Sequence, residues 1–166
     1  SQNPKKRAWF RNRRFRRAVA HALDREALLD IVYNRLGVKQ CSPLSPSTPF
    51  FYHPNVPCYD RDPVRVNAIL EEERMIDRDG DGVREDAKGN PLEFVLLTNA
   101  ENPHRIQIAQ MIRDDLIRSG FRVHLLSLEF NSLVTKLLSS RDWDAALIGL
   151  TGSMDPHFGA NVWLTR

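Results

Sequence analysis

The residues best suited to chemistry in this sequence are three aspartates spaced two apart. Asp77, Asp79 and Asp81, followed by Gly82, match positions 1, 3, 5 and 6 of a loop that cages calcium with oxygen ligands. Such a cage closes with a bidentate carboxylate at position 12, where Lys88 stands instead. Glu85 or Asp86 would have to close it with a different geometry. The same residues also read as an Asp/Gly turn leading into a hairpin.

A second cluster is basic. Lys5, Lys6, Arg7, Arg11, Arg13, Arg14, Arg16 and Arg17 crowd the start of the chain, with Trp9, Phe10 and Phe15 among them. Basic residues interleaved with aromatics can form a nucleic-acid footprint. They can equally be the solvated face of a helix whose aromatics enter the core, and no complete nucleic-acid motif accompanies them. His21, His53, His104, His124 and His157 are scattered, with no two at ligand spacing on one element. The neighbouring pairs Asp114/Asp115 and Glu72/Glu73 are expected on helix surfaces, pointing to different faces. The sequence contains no nucleophile elbow, zinc-protease helix, phosphate loop or dinucleotide fingerprint. A protein without catalytic residues, metal or cofactor is therefore expected, with the aspartate loop as the calcium candidate. Cys41 and Cys58 have neither zinc-ligand nor redox-motif spacing. They are either a disulfide or two reduced small hydrophobes.

With 166 residues, 42% hydrophobic and 27% charged, the chain has the length and composition of one globular domain. No apolar run reaches the roughly 18 residues of a membrane span. Residues 10–37 predict two helices meeting at Asp24. Phe15, Ala18, Val19 and Ala22 share one helical face, and Leu28, Ile31, Val32 and Leu36 another, with Gly37 as terminator. Residues 38–61 carry Pro43, Pro46, Pro49, Pro54 and Pro57, which forbid helix and central strand. Phe50, Phe51 and Tyr52 in that loop are expected to be buried. Asp62 and Pro63 open a helix with Val66, Ile69 and Leu70 inward. A strand at 92–98, a helix capped by Asn102 and ended by Gly120, and a strand at 121–128 predict a right-handed parallel crossover. Ile108, Ala109, Ile112 and Leu116 form the inner face of that helix. A shorter helix at 131–140 and a strand at 143–150 follow.

The run FRNRRFRRAVAHALDRE resembles the signature of the family 5 bacterial extracellular solute-binding proteins, the oligopeptide-, dipeptide- and nickel-binding receptors of ABC importers. The resemblance is carried by Phe10, Phe15, Arg16, Ala18, Val19, Ala22, Leu23, Asp24 and Arg25. Later segments follow in the family's order: the tract ending Cys58-Tyr59-Asp60-Arg61-Asp62-Pro63, the Asp-Gly repeat at 79–82, and the helix with Ile108, Ala109, Ile112, Leu116 and Gly120. The strand entry Trp143-Asp144-Ala145 and the Asp155-Pro156 loop complete it.

The resemblance implies an α/β fold: a mixed sheet flanked by helices, a periplasmic-binding-protein-like (type II) lobe similar to domain 3 of dipeptide-binding proteins. The whole of 1–166 would be the C-terminal, second lobe of a longer two-lobed receptor. That receptor would be periplasmic or extracellular, with room for a lipid anchor upstream. It would take a peptide or other small solute, pass it to an ABC permease, and neither span a membrane nor bind nucleic acid. Export favours a Cys41–Cys58 disulfide. The implied ligand wall includes Leu150, Thr151, Gly152, Ser153, Asp155 and His157. Ser153 stands where peptide binders carry the aspartate that holds a peptide's amino group, and Leu147 where some carry an arginine. Asp155 takes the aspartate's role if the loop is one residue shorter; otherwise the ligand is a different oligomeric or blocked solute.

Overall fold

Asparagines and aspartates divide the helical half of the chain. In the computed structural model, which describes residues 2–42 and 44–150, α1 (Pro4–Arg11) starts with Asn3 as cap and proline in the first turn. Asn12 ends α1 in an extended conformation and caps α2 (Arg13–Ala22) by accepting the Arg14 N–H at 2.8 Å. Asp24 caps α3 (Arg25–Tyr33) through the Ala27 N–H at 2.9 Å. Asp62 caps α4 (Pro63–Glu72), and Asn102 caps α5 (Pro103–Arg118).

Residues 10–37 thus form parts of three helices rather than two. The termination also differs from expectation: α3 stops at Asn34, which takes the left-handed conformation at φ 48°, and not at Gly37. Asparagine enters that region more readily than most residues with a Cβ, because its short polar side chain can bond locally. The expected second apolar stripe is correspondingly short, because Val32 is buried whereas Ile31 and Leu36 are exposed.

Among the described residues three strands form one sheet: β1 (Glu93–Asn99), β2 (Arg122–Leu128) and β3 (Ala145–Ala146). Their order is β2-β1-β3. β1 pairs in parallel with β2 from Glu93↔Arg122 to Asn99↔Leu128, and with β3 at Leu96↔Ala145 and Leu97↔Ala146. The strands expected at 92–98, 121–128 and 143–150 therefore share a sheet, although the third pairs over only two residues. Antiparallel pairing among the described residues is limited to bridges at Ile76↔Glu85 and Glu85↔Pro91. α6 (Phe130–Thr135) runs into a π-helical turn, Lys136–Ser140. The chain crosses from β1 to β2 through α5 and returns past β1 to β3 through α6. Right-handed crossovers in opposite directions put those helices on opposite faces of the sheet.

One face of β1 carries Phe94 and Leu96 into the main core with α2, α4 and α5. Its centre is aromatic. Phe15, fully buried, meets Phe10 and Phe121 edge-on, with centroids 5.4 and 5.8 Å away, and Phe10 and Phe121 both contact Phe94. Arg84 fastens this core's rim. Its guanidinium donates to the Met75 and Ser119 carbonyls and to Asn67 Oδ1. The stem passes so near Gly120 that a Cβ there would lie 2.8 Å from Cγ, at a position already requiring φ 86°.

Two further corrections concern burial. Asp115, expected at the surface, is only 5% exposed, and its Oδ2 accepts the Asp24 N–H at 2.9 Å, joining α5 to the α2–α3 corner. Conversely, Phe50 is 89% exposed and Phe51 45%. The two rings pack edge-on with each other in a loop that is fastened at its base: Cys41 and Cys58 form a disulfide with Cα atoms 5.2 Å apart.

Asp86 links α1 to the turn at 86–90. Its carboxylate accepts from Trp9 Nε1 at 3.0 Å and from the backbone and side chain of Asn90. Burial works to raise the Asp86 pKa, but these bonds and the Lys88 N–H outweigh it, so the net shift is below the ordinary 3.8. A carboxyl depressed on folding stabilises the native state above its unfolded pKa and loses that contribution as pH falls through the folded value. Between pH 5 and 3, the melting temperature of Asp86→Asn is expected to decline less steeply than that of the parent, measured by circular dichroism. Parallel declines would remove Asp86 from the acid response.

Candidate functional site

The carboxyl ends of the strands converge beside α5. In open parallel sheets, ligands occupy the crevice outside those ends, where the strand order reverses. Here the reversal falls between β1 and β3. Thr98, fully buried, donates from Oγ1 to the Leu147 carbonyl at 3.2 Å, and the Leu147 N–H donates to the Leu97 carbonyl at 2.8 Å. These bonds carry the β1–β3 contact beyond the two paired residues of β3. Asp144, at the entry to β3, accepts from Lys6 Nζ at 2.6 Å and from the Val95 N–H at 3.1 Å. It locks β3 to both α1 and β1.

At the end of β1, Asn99 is 5% exposed. Its Nδ2 donates to Glu101 Oε2 at 3.2 Å, leaving Oδ1 to accept from Arg105 Nη1 at 2.5 Å. Glu101 also accepts the Phe130 N–H at 2.8 Å. Bonds from its own backbone N–H and from that of Phe130 hold its carboxyl below the usual range. The Arg105 guanidinium extends from Asn99 to the backbone after β3. A Cβ on Gly149 would lie 2.5 Å from Nη2, so a larger residue there would displace the end of the Arg105 side chain. Arg105 makes no ion pair with any described carboxylate, and it sits in the first turn of α5. A cation there opposes the helix dipole, at a cost of about 0.3–1 kcal/mol. Sequence reasoning passed over Asn99, Glu101 and Arg105. The available signal was the misplaced charge, an arginine three residues after a helix cap at the end of a strand.

Of the expected ligand-wall residues, Leu150 lies at this rim and is 59% exposed. Thr151, Gly152, Ser153, Asp155 and His157 lie outside the described residues.

The aspartate loop does gather carboxylates. Oxygens of Asp77, Asp79, Asp81 and Glu85 lie within 4.8 Å of one another, so Glu85 rather than Asp86 joins the group. These oxygens already serve the loop itself. Asp77 accepts the Gly80 and Gly82 N–H groups, Asp81 accepts Val83 N–H and Arg122, and Glu85 accepts the Arg78 N–H. The arrangement is that of an Asx-braced turn.

The basic cluster is largely consumed by structure. Arg16 donates to the carbonyls of Phe10 and Arg11, capping the end of α1. Arg14 pairs with Glu72 at 2.6 Å, and Arg17 stands over the Tyr59 ring and bonds its hydroxyl. Arg25 donates to the Tyr59 carbonyl. His21 is buried, and its Nδ1 donates to the Asp60 carbonyl at 2.7 Å, a structural bond.

This fold is the architecture of a solute-binding protein. Residues 2–166 match the model of the bacterial extracellular solute-binding proteins, family 5 (middle region), and the chain belongs to that family. It is 31% identical over 148 residues to the "Probable ABC transporter-binding protein" of Deinococcus radiodurans, covering 86% of this chain and 25% of that protein. It is 29% identical over 151 residues to the oligopeptide-binding protein AppA of Bacillus subtilis, covering 89% and 27%. The structure of AppA in complex with a nonapeptide superposes with a TM-score of 0.85, at 28% identity, over 92% of this chain and 30% of AppA. The chain thus spans about a quarter of the length of the relatives it matches.

The family signature has a physical reading here. Phe15, Ala18 and Ala22 fill the core, Val19 and Leu23 border it, Arg16 caps α1, Asp24 caps α3, and Arg25 holds the segment leading to α4.

Proposed function

We propose that this chain is the second lobe of a longer, two-lobed receptor that binds a peptide or other small solute outside the cell membrane and delivers it to an ABC permease. Support comes foremost from the family match across residues 2–166, together with polar groups gathered at the switch point between β1 and β3. The lobe performs no chemistry. It offers backbone and side-chain hydrogen bonds at the strand ends, where an extended ligand can be held by groups that tolerate varied side chains. Hinge closure over the ligand would create the form the permease recognises. Because the ligand contacts both lobes only when they are closed, its differential affinity shifts the population. The use of Arg14, Arg16 and Arg17 in internal contacts argues against a nucleic-acid module.

Native mass spectrometry of the full-length receptor, purified without added ligand, tests this reading. The expected result is a non-covalent small-solute adduct, either a series of peptide masses or a single mass. Bound nucleic acid released by salt would overturn it. So would a bare protein that neither peptides nor oligosaccharides stabilise against heat.

A further inference from the structure

We infer that the groove between the outer faces of α2 and α4 is a docking site for an acidic segment of a partner protein, held by Arg17, Arg65 and the Tyr59 hydroxyl. The two helices lie antiparallel: Arg14 meets Glu72 at one end, and the Asp62 N–H donates to the His21 carbonyl at the other. Phe15, Ala18, Val66 and Leu70 face the core, so the groove lies on the opposite side. Its volume is about 800 Å³, and Pro57, Cys58 and Tyr59 form one of its walls. That size suits a small ligand or a short stretch of chain. α2 meets the sheet at the amino ends of its strands, with Phe15 against Phe121. The groove is therefore remote from the solute mouth at the carboxyl ends, and partner and solute do not compete for the same groups.

The groove is rich in donors whose charge is not cancelled. Its own acids are occupied: Glu72 pairs with Arg14 at 2.6 Å, and Asp62 is turned into α4, accepting the Arg65 N–H at 2.9 Å. No ion pair among the described residues involves Arg17 or Arg65, although Arg14 and Arg61 each have one. Arg17 donates from Nε to the Tyr59 hydroxyl at 3.2 Å, with its guanidinium 5.6 Å from the ring centroid. That contact orients the group and leaves its two terminal nitrogens for a carboxylate. The Tyr59 hydroxyl, an acceptor there, keeps its own hydrogen to donate. His21 is only 8% exposed, and its Nδ1 donates to the Asp60 carbonyl. Its Nε2 has no partner among the described residues, and the ring lines the groove, so Nε2 can accept a backbone N–H. Carboxylates with backbone N–H groups beside them are what an acidic segment presents, whereas a polyphosphate offers acceptors alone. Val64, 80% exposed, and Ile69 add an apolar strip for side chains between the acids. A bilayer carries its charge on a plane and does not reach groups recessed between two helices.

The test uses the full-length receptor and a short segment of alternating glutamate and leucine, displayed between two folded carrier domains so that neither end can enter the solute cleft. The same segment with glutamine in place of glutamate is the reference, and binding is followed by biolayer interferometry. The parent is expected to hold the glutamate segment about 10- to 100-fold more tightly than the reference, with the preference falling as salt rises. Arg17→Gln and Arg65→Gln should each remove most of that preference. The thermal midpoint of Arg65→Gln should stay at the parent's, because that side chain is exposed and has no partner among the described residues. Arg35→Gln, which removes a charge outside the groove, should leave the preference intact. The bound segment should also shield Arg17 and Arg65 from phenylglyoxal, read by peptide mass spectrometry. No preference in the parent, a preference that survives both substitutions, or one that Arg35→Gln lowers equally overturns the inference. So does a single-stranded oligonucleotide or a phosphatidylglycerol vesicle that binds more tightly than the segment through the same two arginines. Each of these outcomes leaves the solute-binding reading standing, because the groove shares no residue with the solute mouth.

Discussion

Replacing Phe15 by alanine is expected to destabilise the protein by about 3–5 kcal/mol, the range for deleting a buried phenylalanine ring. Phe15 has no solvent exposure and lies between Phe10 and Phe121, each of which also touches Phe94. Alanine would lose the transfer energy of the ring, leave a cavity between α2 and the sheet, and break two edge-to-face contacts. The neighbours have little freedom to fill the space, because Phe94 and Phe121 belong to the strand and strand entry of a registered parallel pair. Phe15→Leu should recover a large part of the loss by refilling the volume. Urea unfolding followed by tryptophan fluorescence measures both variants. A change below about 1 kcal/mol in Phe15→Ala would mean that the aromatic cluster does not organise the core.

The second large effect concerns the disulfide. Cys41 and Cys58 are separated by 17 positions, and closing a loop of that size removes unfolded-state entropy worth roughly 3 kcal/mol. The folded loop makes few compensating contacts, as the 89% exposure of Phe50 indicates. Lys39, which bonds both Glu26 and Asp60 at 2.7 Å, would still hold the base of the loop together. Reduction with dithiothreitol is therefore expected to lower the thermal midpoint while leaving the near-ultraviolet spectrum of the core intact. A Cys41→Ser/Cys58→Ser double variant should show the same midpoint with and without reductant. A parent midpoint indifferent to reductant would show that the crosslink does not constrain the unfolded chain.

Much of the architecture was readable from local rules. Asp24, Asp62 and Asn102 were identifiable as caps because a short polar side chain ahead of a helical pattern has one good use for its oxygen. The parallel β1–α5–β2 crossover followed from two apolar runs separated by one amphipathic helix. The aspartate loop was readable as a turn for the same reason: its side chains bond its own backbone. Glu85 could not be singled out over Asp86 as its fourth member, since that depends on which carboxylate Trp9 and Asn90 draw away.

What the sequence by itself determined was therefore the set of elements and their order, because caps, periodicity and turn chemistry act over a few residues. The tertiary structure decided which polar groups are used, because that depends on what arrives from elsewhere in the chain. Asp115 looks like any solvated helix carboxylate until the Asp24 N–H is brought to it from 91 residues away. Arg16 looks like one more charge in a basic run until the end of α1 presents its carbonyls. Arg105 looks like a surface arginine until the sheet sets Asn99 on one side of it and Gly149 on the other. Burial and pairing are properties of juxtaposition, and juxtaposition is settled only when α1, α5 and three parallel strands close on one another.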